Sequence, residues 1–267
     1  TPAAFRPRIL VTADLDPAGL DSLRALGEVE YQSYRQLRRM LRGDALVDAL
    51  RGFHVIVTEI DVLDAKTLLA ARELRFAAIC RGDAVNCDVP CCSALGIPVI
   101  HTPGRNADAV ADLALAFMLM LLRRLPEATR FLRDPPHEAG SLASVGRAFG
   151  ALRGRELWRR VVGLVGLGAV GRKVVERLRP FGARCLVYDP FLPPDRVRLA
   201  GAEPVDLDRL LAESDIVSLH AAVSDASRGL IGAPQLARMK PGSYLVNTAR
   251  AALIDEPALI EALRNGP

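Results

Sequence analysis

The stretch "VVGLVGLGAVGRKVVERLRPFGARCLVYDP" sets Gly166, Gly168 and Gly171 at G-x-G-x-x-G spacing directly after a short apolar run. That pattern predicts a buried strand turning sharply into an amphipathic helix. The first glycine permits the turn, the second lets a pyrophosphate approach the backbone, and the third lets helix and strand pack closely. Phosphates then rest on the free N–H groups that open the helix. A glycine-rich turn alone is weak, but Asp189 ends the next apolar run, near the ~20-residue offset expected of a ribose-binding carboxylate. The residues therefore predict a dinucleotide site with NAD as cofactor, because a carboxylate accepts from two ribose hydroxyls and repels a 2′-phosphate. Arg184 and Arg196 lie nearby in sequence and act against that preference.

Two further residues have the types that hydride chemistry on a small acid would use. Arg250 follows the apolar run in "SYLVNTAR". A guanidinium there can grip a carboxylate through paired donors and stabilise charge on a carbonyl oxygen; the plainer alternative is a surface arginine in an ion pair. His220 ends "DIVSLH", at the carboxyl edge where ligands collect in doubly wound sheets.

These residues need a scaffold, and the rest of the chain predicts one. From "RILVTA" through "EVEY", "FHVIVTE" and "LRFAAIC", short β-branched runs alternate with amphipathic segments, the rhythm of parallel βαβ units. A small α/β domain over residues 1–105 is expected. Asn106 to Asp134 reads as one long helix, apolar nearly all round in its middle, bridging domains and packing on a second subunit as a homodimer. "PPHEAGSLASVG" reads as a loop, and a second α/β domain runs to the end, giving 106–267.

Composition narrows the function classes. Lys+Arg of 35 against Asp+Glu of 31 gives only +4, with the arginines scattered, so no nucleic-acid partner is expected. "ADLALAFMLMLL" falls short of the ~20 apolar residues of a membrane span, and "TPAAFRPRILV" does not read as a secretory signal. Five cysteines, three of them in "NCDVPCC" (Cys87, Cys91, Cys92), have no second cluster to complete a metal site. They read as small semi-buried thiols of a cytoplasmic protein.

The chain resembles the D-isomer-specific 2-hydroxyacid dehydrogenases over nearly its whole length. The resemblance rests on "GIPVIHTPGRNADAVAD", "GLVGLGAVGR", "SDIVSLHAAVSDASRGLIG" and "MKPGSYLVNTARAALIDEPALIEAL", in the family's order. It implies a flavodoxin-like substrate domain, a Rossmann doubly wound cofactor domain and a cleft between them. It implies that Arg250 binds the substrate's carboxylate and keto oxygen, and that the cofactor also meets Ala169, Val170, Thr248 and Ala249. His220 would lie on the nicotinamide side without being the catalytic histidine, although the family's following proline is replaced by Ala221 and Ala222.

"CRGDAVNCD" resembles the family's substrate-carboxylate loop, with Arg81, Gly82 and Asp83 at the substrate and backbone N–H groups donating to it. Asp83 stands where a second small residue is usual. A carboxylate there repels the substrate's own unless it is turned away or paired with Arg81; the bland role is to cap the turn. His101 reads as structural, and His54 and His137 as ordinary strand and loop residues. The family's proton-transferring His and Glu lie downstream of Pro267, while Glu256 and Glu261 read as solvated helix charges. The expectation is thus an NAD-dependent enzyme interconverting a D-2-hydroxy acid and its 2-keto acid, on a chain that continues past Pro267 and whose substrate domain lacks its C-terminal return segment. The alternatives are a dinucleotide-sensing, co-repressor-like binding protein without turnover, or the same fold serving another hydride acceptor.

Overall fold

The computed structural model describes residues 5–133 and 141–265. The chain divides into two compact units, Thr1–Arg105 and Asn106–Pro267, each built on its own five-stranded parallel sheet.

In the first unit the strands are β1 (Arg8–Val11), β2 (Glu28–Tyr31), β3 (Val55–Thr58), β4 (Phe76–Ile79) and β5 (Val99–His101), in the order β2-β1-β3-β4-β5. That is the flavodoxin-like order. Helices fill the crossovers, and several start on side-chain caps: Asp16 accepts from the Gly19 amide at 2.7 Å and Asp64 from Thr67 at 2.8 Å, each satisfying an N–H the helix cannot use. Leu10, Ile56, Ala77 and Ile79 are buried in one cluster with Leu46 and Leu68 from the helices and Leu63 from the loop before the second of them. His54 is structural here. Its Nδ1 accepts from the Arg8 amide at 3.1 Å and its ring meets Phe5 edge-on.

The second unit contains β6 (Val161–Val165), β7 (Arg184–Tyr188), β8 (Glu203–Pro204), β9 (Ile216–Leu219) and β10 (Tyr244–Asn247), ordered β10-β9-β6-β7-β8. Renumbered from β6 this is the Rossmann 3-2-1-4-5 arrangement, with the order reversing between β6 and β9. Central strands covered on both faces need unbroken apolar runs, and β9 is buried along its whole length. Gly163 interrupts the β6 run because a Cβ there would lie 2.3 Å from Ser214 Oγ and 2.5 Å from Leu210 Cδ2.

Two sequence expectations fail in instructive ways. The single long helix is two, Ala107–Leu122 and Leu125–Arg133, with Arg124 at φ +52° between them; Asp134 lies outside the described residues. Pro126 has no N–H to give Leu122, whose carbonyl instead accepts from the Arg155 amide at 2.8 Å, so the break leaves no buried acceptor unmet. The expected loop after it contains a helix, Leu142–Ala151, whose N-cap Ser141 accepts from Ser144. A serine read as coil is a cap. His137 and the start of that stretch lie outside the described residues.

Candidate functional site

β6 ends at Val165, and the chain turns through Gly166 into the helix Ala169–Leu178. The three glycines of the motif have three different reasons to be glycine. Gly166 sits at φ +96°, and a Cβ on it would fall within 3 Å of the His220 and Ala221 backbone. Gly171 presses on the turn itself, with a Cβ position 2.4 Å from the Gly166 carbonyl oxygen. Gly168 has open space around it. It is also the N-cap and offers no side-chain acceptor, so the first amides of the helix, at Ala169, Val170 and Gly171, stay free for an anion.

The ends of β6, β7 and β9 form one cleft of about 720 Å³, lined among others by Gly166, Gly168, Asp189 and His220. Asp189 is held from two sides: Oδ2 accepts from the Leu167 amide at 2.9 Å and Oδ1 from the Phe191 amide at 3.0 Å. Each oxygen keeps a lone pair for a further donor. His220 Nε2 lies 2.9 Å from the buried Ser218 Oγ, and its Nδ1 is buried without a partner. Burial pushes its pKa down to about 4, so the ring is neutral at pH 7.

The cleft has walls that sequence reasoning missed. Phe191 lines it while 84% exposed, an aromatic with no core to join; the only hint was its place in the proline-rich turn "DPFLPP". Arg172 also lines it, its Nε donating to the Leu167 carbonyl at 3.2 Å. Ser224 and Ser227 close the loop after β9, the Ser224 amide donating to Ser227 Oγ at 2.8 Å.

Arg250 is not among the lining residues. It follows β10 in a turn stapled by Asn247, whose Nδ2 donates to the Arg250 carbonyl at 2.9 Å and whose Oδ1 accepts from Ala249 at 3.0 Å. The Arg250 side chain is exposed, with Nη1 on the Ala249 carbonyl. Thr248 Oγ1 beside it is buried and unpartnered. Glu256 and Glu261 are exposed on the following helix, and Glu261 accepts only from Asn265 within it.

Arg81, Gly82 and Asp83 lie in the first unit, at the carboxyl edge of its sheet. His101 Nδ1 donates to the Gly82 carbonyl at 3.0 Å, and the Thr102 amide donates to Arg81 at 2.8 Å. The amides of Gly82 and Asp83 meet no acceptor among the described residues. Asp83 is exposed, and among the described residues no ion pair joins it to Arg81, while Glu59 nearby is ion-paired to Arg105.

Residues 115–267 match the family model for the D-isomer specific 2-hydroxyacid dehydrogenase, NAD binding domain. The chain belongs to this family. YoaD of Bacillus subtilis, named as a 2-hydroxyacid dehydrogenase, is 33% identical over 96% of this chain and 73% of its own. D-3-phosphoglycerate dehydrogenase of Mycobacterium tuberculosis is also 33% identical, over 97% of this chain, which spans about half (46%) of that protein. The crystal structure of TT0316 protein from Thermus thermophilus superposes with a TM-score of 0.79 at 32% identity, covering 96% of this chain and 78% of that one.

The cofactor of this 2-hydroxyacid dehydrogenase domain is NAD. The residues present fit it: an open cradle at Gly168, free amides behind it, and a braced carboxylate at the end of β7. Among the described residues no group of three or more His, Cys, Asp or Glu is arranged for a metal, and no helix is long and apolar enough to cross a membrane.

Two outcomes follow from this geometry. Gly171→Ala should lower stability by about 1–3 kcal/mol through overpacking, whereas Gly168→Ala should leave the melting temperature unchanged and weaken NADH binding. Thermal melts and NADH titrations separate the two, and full NADH affinity in Gly168→Ala would refute a close phosphate there. His220 gives the second. Unfolded, its imidazole titrates near 6.5, but folded at about 4, so between these values the unfolded chain binds the extra proton. Its contribution is present above pH ~6.5 and is lost as pH falls through about 4, on the order of 3 kcal/mol. Denaturant titrations from pH 7 to 4 should show a shallower loss in His220→Gln.

Proposed function

We propose that this chain binds NAD in the cleft at the ends of β6, β7 and β9 and interconverts a D-2-hydroxy acid and its 2-keto acid. The observation that carries the reading is the braced Asp189 facing the same cleft as the open Gly168 turn, because ribose and pyrophosphate need those two features side by side. Asp189 takes the adenine ribose hydroxyls, and Gly168 with the Ala169, Val170 and Gly171 amides takes the pyrophosphate. Phe191 offers an apolar face to the adenine. His220, Thr248 and Ala249 serve the nicotinamide end.

NAD supplies the hydride acceptor, and in its reduced form the donor. Arg250 grips the substrate carboxylate and polarises the keto oxygen, whose negative charge grows as the carbon takes hydride. Within the first unit, the Gly82 and Asp83 amides are free donors of the kind a carboxylate needs, with Arg81 next in the chain. His220 is not the proton donor. Burial disfavours the imidazolium that a proton donor needs, and its Nε2 is already engaged by Ser218.

A homodimer and a cytoplasmic setting complete the proposal. Helix Ala107–Leu122 buries Ala111, Ala114, Met118 and Leu122 in its own unit and leaves Leu113, Phe117, Met120 and Leu121 exposed. That second apolar stripe suits a second copy of the chain. The five cysteines are all free thiols, as a reducing compartment requires.

Screening 2-keto acids for NADH oxidation tests the reaction. Arg250→Ala should cut kcat/KM by about 10²–10³-fold with NADH affinity retained; equal loss of both would count against Arg250 as the substrate's partner. In sedimentation the chain should run at twice 28.8 kDa and Phe117→Glu at the monomer mass. A wild-type monomer would rule out the helix as a dimer face.

A further inference from the structure

Three of the five cysteines sit where β4 hands over to the next helix, in "NCDVPCC". Asp88 caps the helix Val89–Ala94, its Oδ1 accepting from the Cys91 amide at 2.9 Å. With Asp88 as N-cap, Cys87 takes the position before the cap and Cys92 the fourth position of the helix. Side chains at those two places pack against each other across a helix start as a hydrophobic staple. Here the staple is made of two thiols, and their sulfurs lie 3.6 Å apart.

The pair is also anchored to the loop before it. The Cys87 amide donates to the Ala84 carbonyl at 2.9 Å. Asn86 donates through Nδ2 to the Asp61 carbonyl at 2.7 Å and accepts from the Leu63 amide at 2.9 Å. Asp61 is itself buried, accepting from the Leu41 amide at 2.6 Å and from Thr58 Oγ1 at 2.8 Å. Asn86 stands between Cys87 and the Arg81–Asp83 segment, so a shift at Cys87 pulls on the Asn86 bonds to Asp61 and Leu63 before it reaches the exposed Gly82 and Asp83.

We propose that Cys87 and Cys92 are a thiol pair set to close into a disulfide with peroxide as oxidant, and that closure displaces the Arg81–Cys87 loop. One thiolate attacks a peroxide oxygen; the O–O bond breaks, sulfur is oxidised to a sulfenic acid, and the departing oxygen takes a proton and leaves as water. The second thiol then displaces the sulfenic oxygen as a second water, forming the S–S bond. Two thiols and one hydrogen peroxide become one disulfide and two waters. The sulfurs must approach by about 1.5 Å to reach bonding distance. Cys92 is wholly buried on its helix, so Cys87 and the loop ahead of it make the movement.

Burial pushes the Cys87 thiol up to about 12 and raises Cys92 as well. Thiolate is therefore scarce at neutral pH, and closure should speed up about tenfold per pH unit. The effect on substrate rests on reading Arg81–Asp83 as the carboxylate loop; the bond itself does not.

The test treats the full chain with hydrogen peroxide, alkylates remaining thiols in denaturant and maps the peptides. Cleavage before Asp88 separates Cys87 from the other two cysteines. The expected product links Cys87 to Cys92, persists in Cys91→Ser and is absent in Cys87→Ser and Cys92→Ser. A bond that includes Cys91, or alkylation of both Cys87 and Cys92 after peroxide, would overturn the pairing. Hydrogen exchange of the Arg81–Cys87 amides should change on oxidation and revert with dithiothreitol; unchanged exchange in the linked protein would overturn the coupling to the loop. Neither readout needs turnover, so both stay interpretable for a chain that reduces no keto acid. If the linked loop does move, the KM for keto acid should rise several-fold with NADH affinity unaltered.

Discussion

The contact on which the second unit depends is backbone against backbone. The Gly166 turn lies against the His220–Ala221 peptide with no room for a Cβ, and Gly171 lies as closely on the Gly166 carbonyl. These approaches fix where β6 ends relative to β9, and so place the switch in strand order at the mouth of the cleft. With that spacing set, the Leu167 amide reaches Asp189 on β7's end, and the carboxylate acquires a single orientation. Side chains decorate this arrangement but do not create it. A Cβ at either glycine would push the strands, the helix N-terminus and the aspartate apart together.

The fold was legible because its signals are local and redundant. Continuous apolar runs such as "VVGLV" and "DIVSLH" mark strands buried on both faces, and the glycine spacing marks the turn without any knowledge of its neighbours. The break after Leu122 was legible in part, since Pro126 stands in the right place. Its other half was not: the Leu122 carbonyl is satisfied by the amide of Arg155, a partner remote in sequence that no periodicity reveals. Ser141 shows the same limit from the other direction, because loop composition and a helix cap use the same residue types.

In the candidate site, the residues that follow a motif could be read and those that merely face it could not. Gly166, Gly168, Asp189 and His220 do share one cleft. Phe191 and Arg172 share it too, but their side-chain directions are set by the turn after β7 and by the pitch of the helix, not by spacing. The lowered pKa of His220 is a property of its surroundings: the sequence shows a titratable ring at a strand end, and burial is what pushes it down to about 4.

Charge explains how the first unit's loop tolerates an aspartate where a small residue is usual. A substrate carboxylate needs donors, and the free amides of Gly82 and Asp83 are donors whatever side chain follows them. The Asp83 carboxylate is exposed and, among the described residues, in no ion pair with Arg81, so water and salt screen it in a way that a buried charge would escape. Glu59, the more buried acid at this edge, is neutralised by Arg105. On the proposed reading the loop separates two jobs that an acidic residue confuses: the backbone would supply recognition, and the side chain is left to solvent. An anionic substrate and Asp83 are compatible on that division.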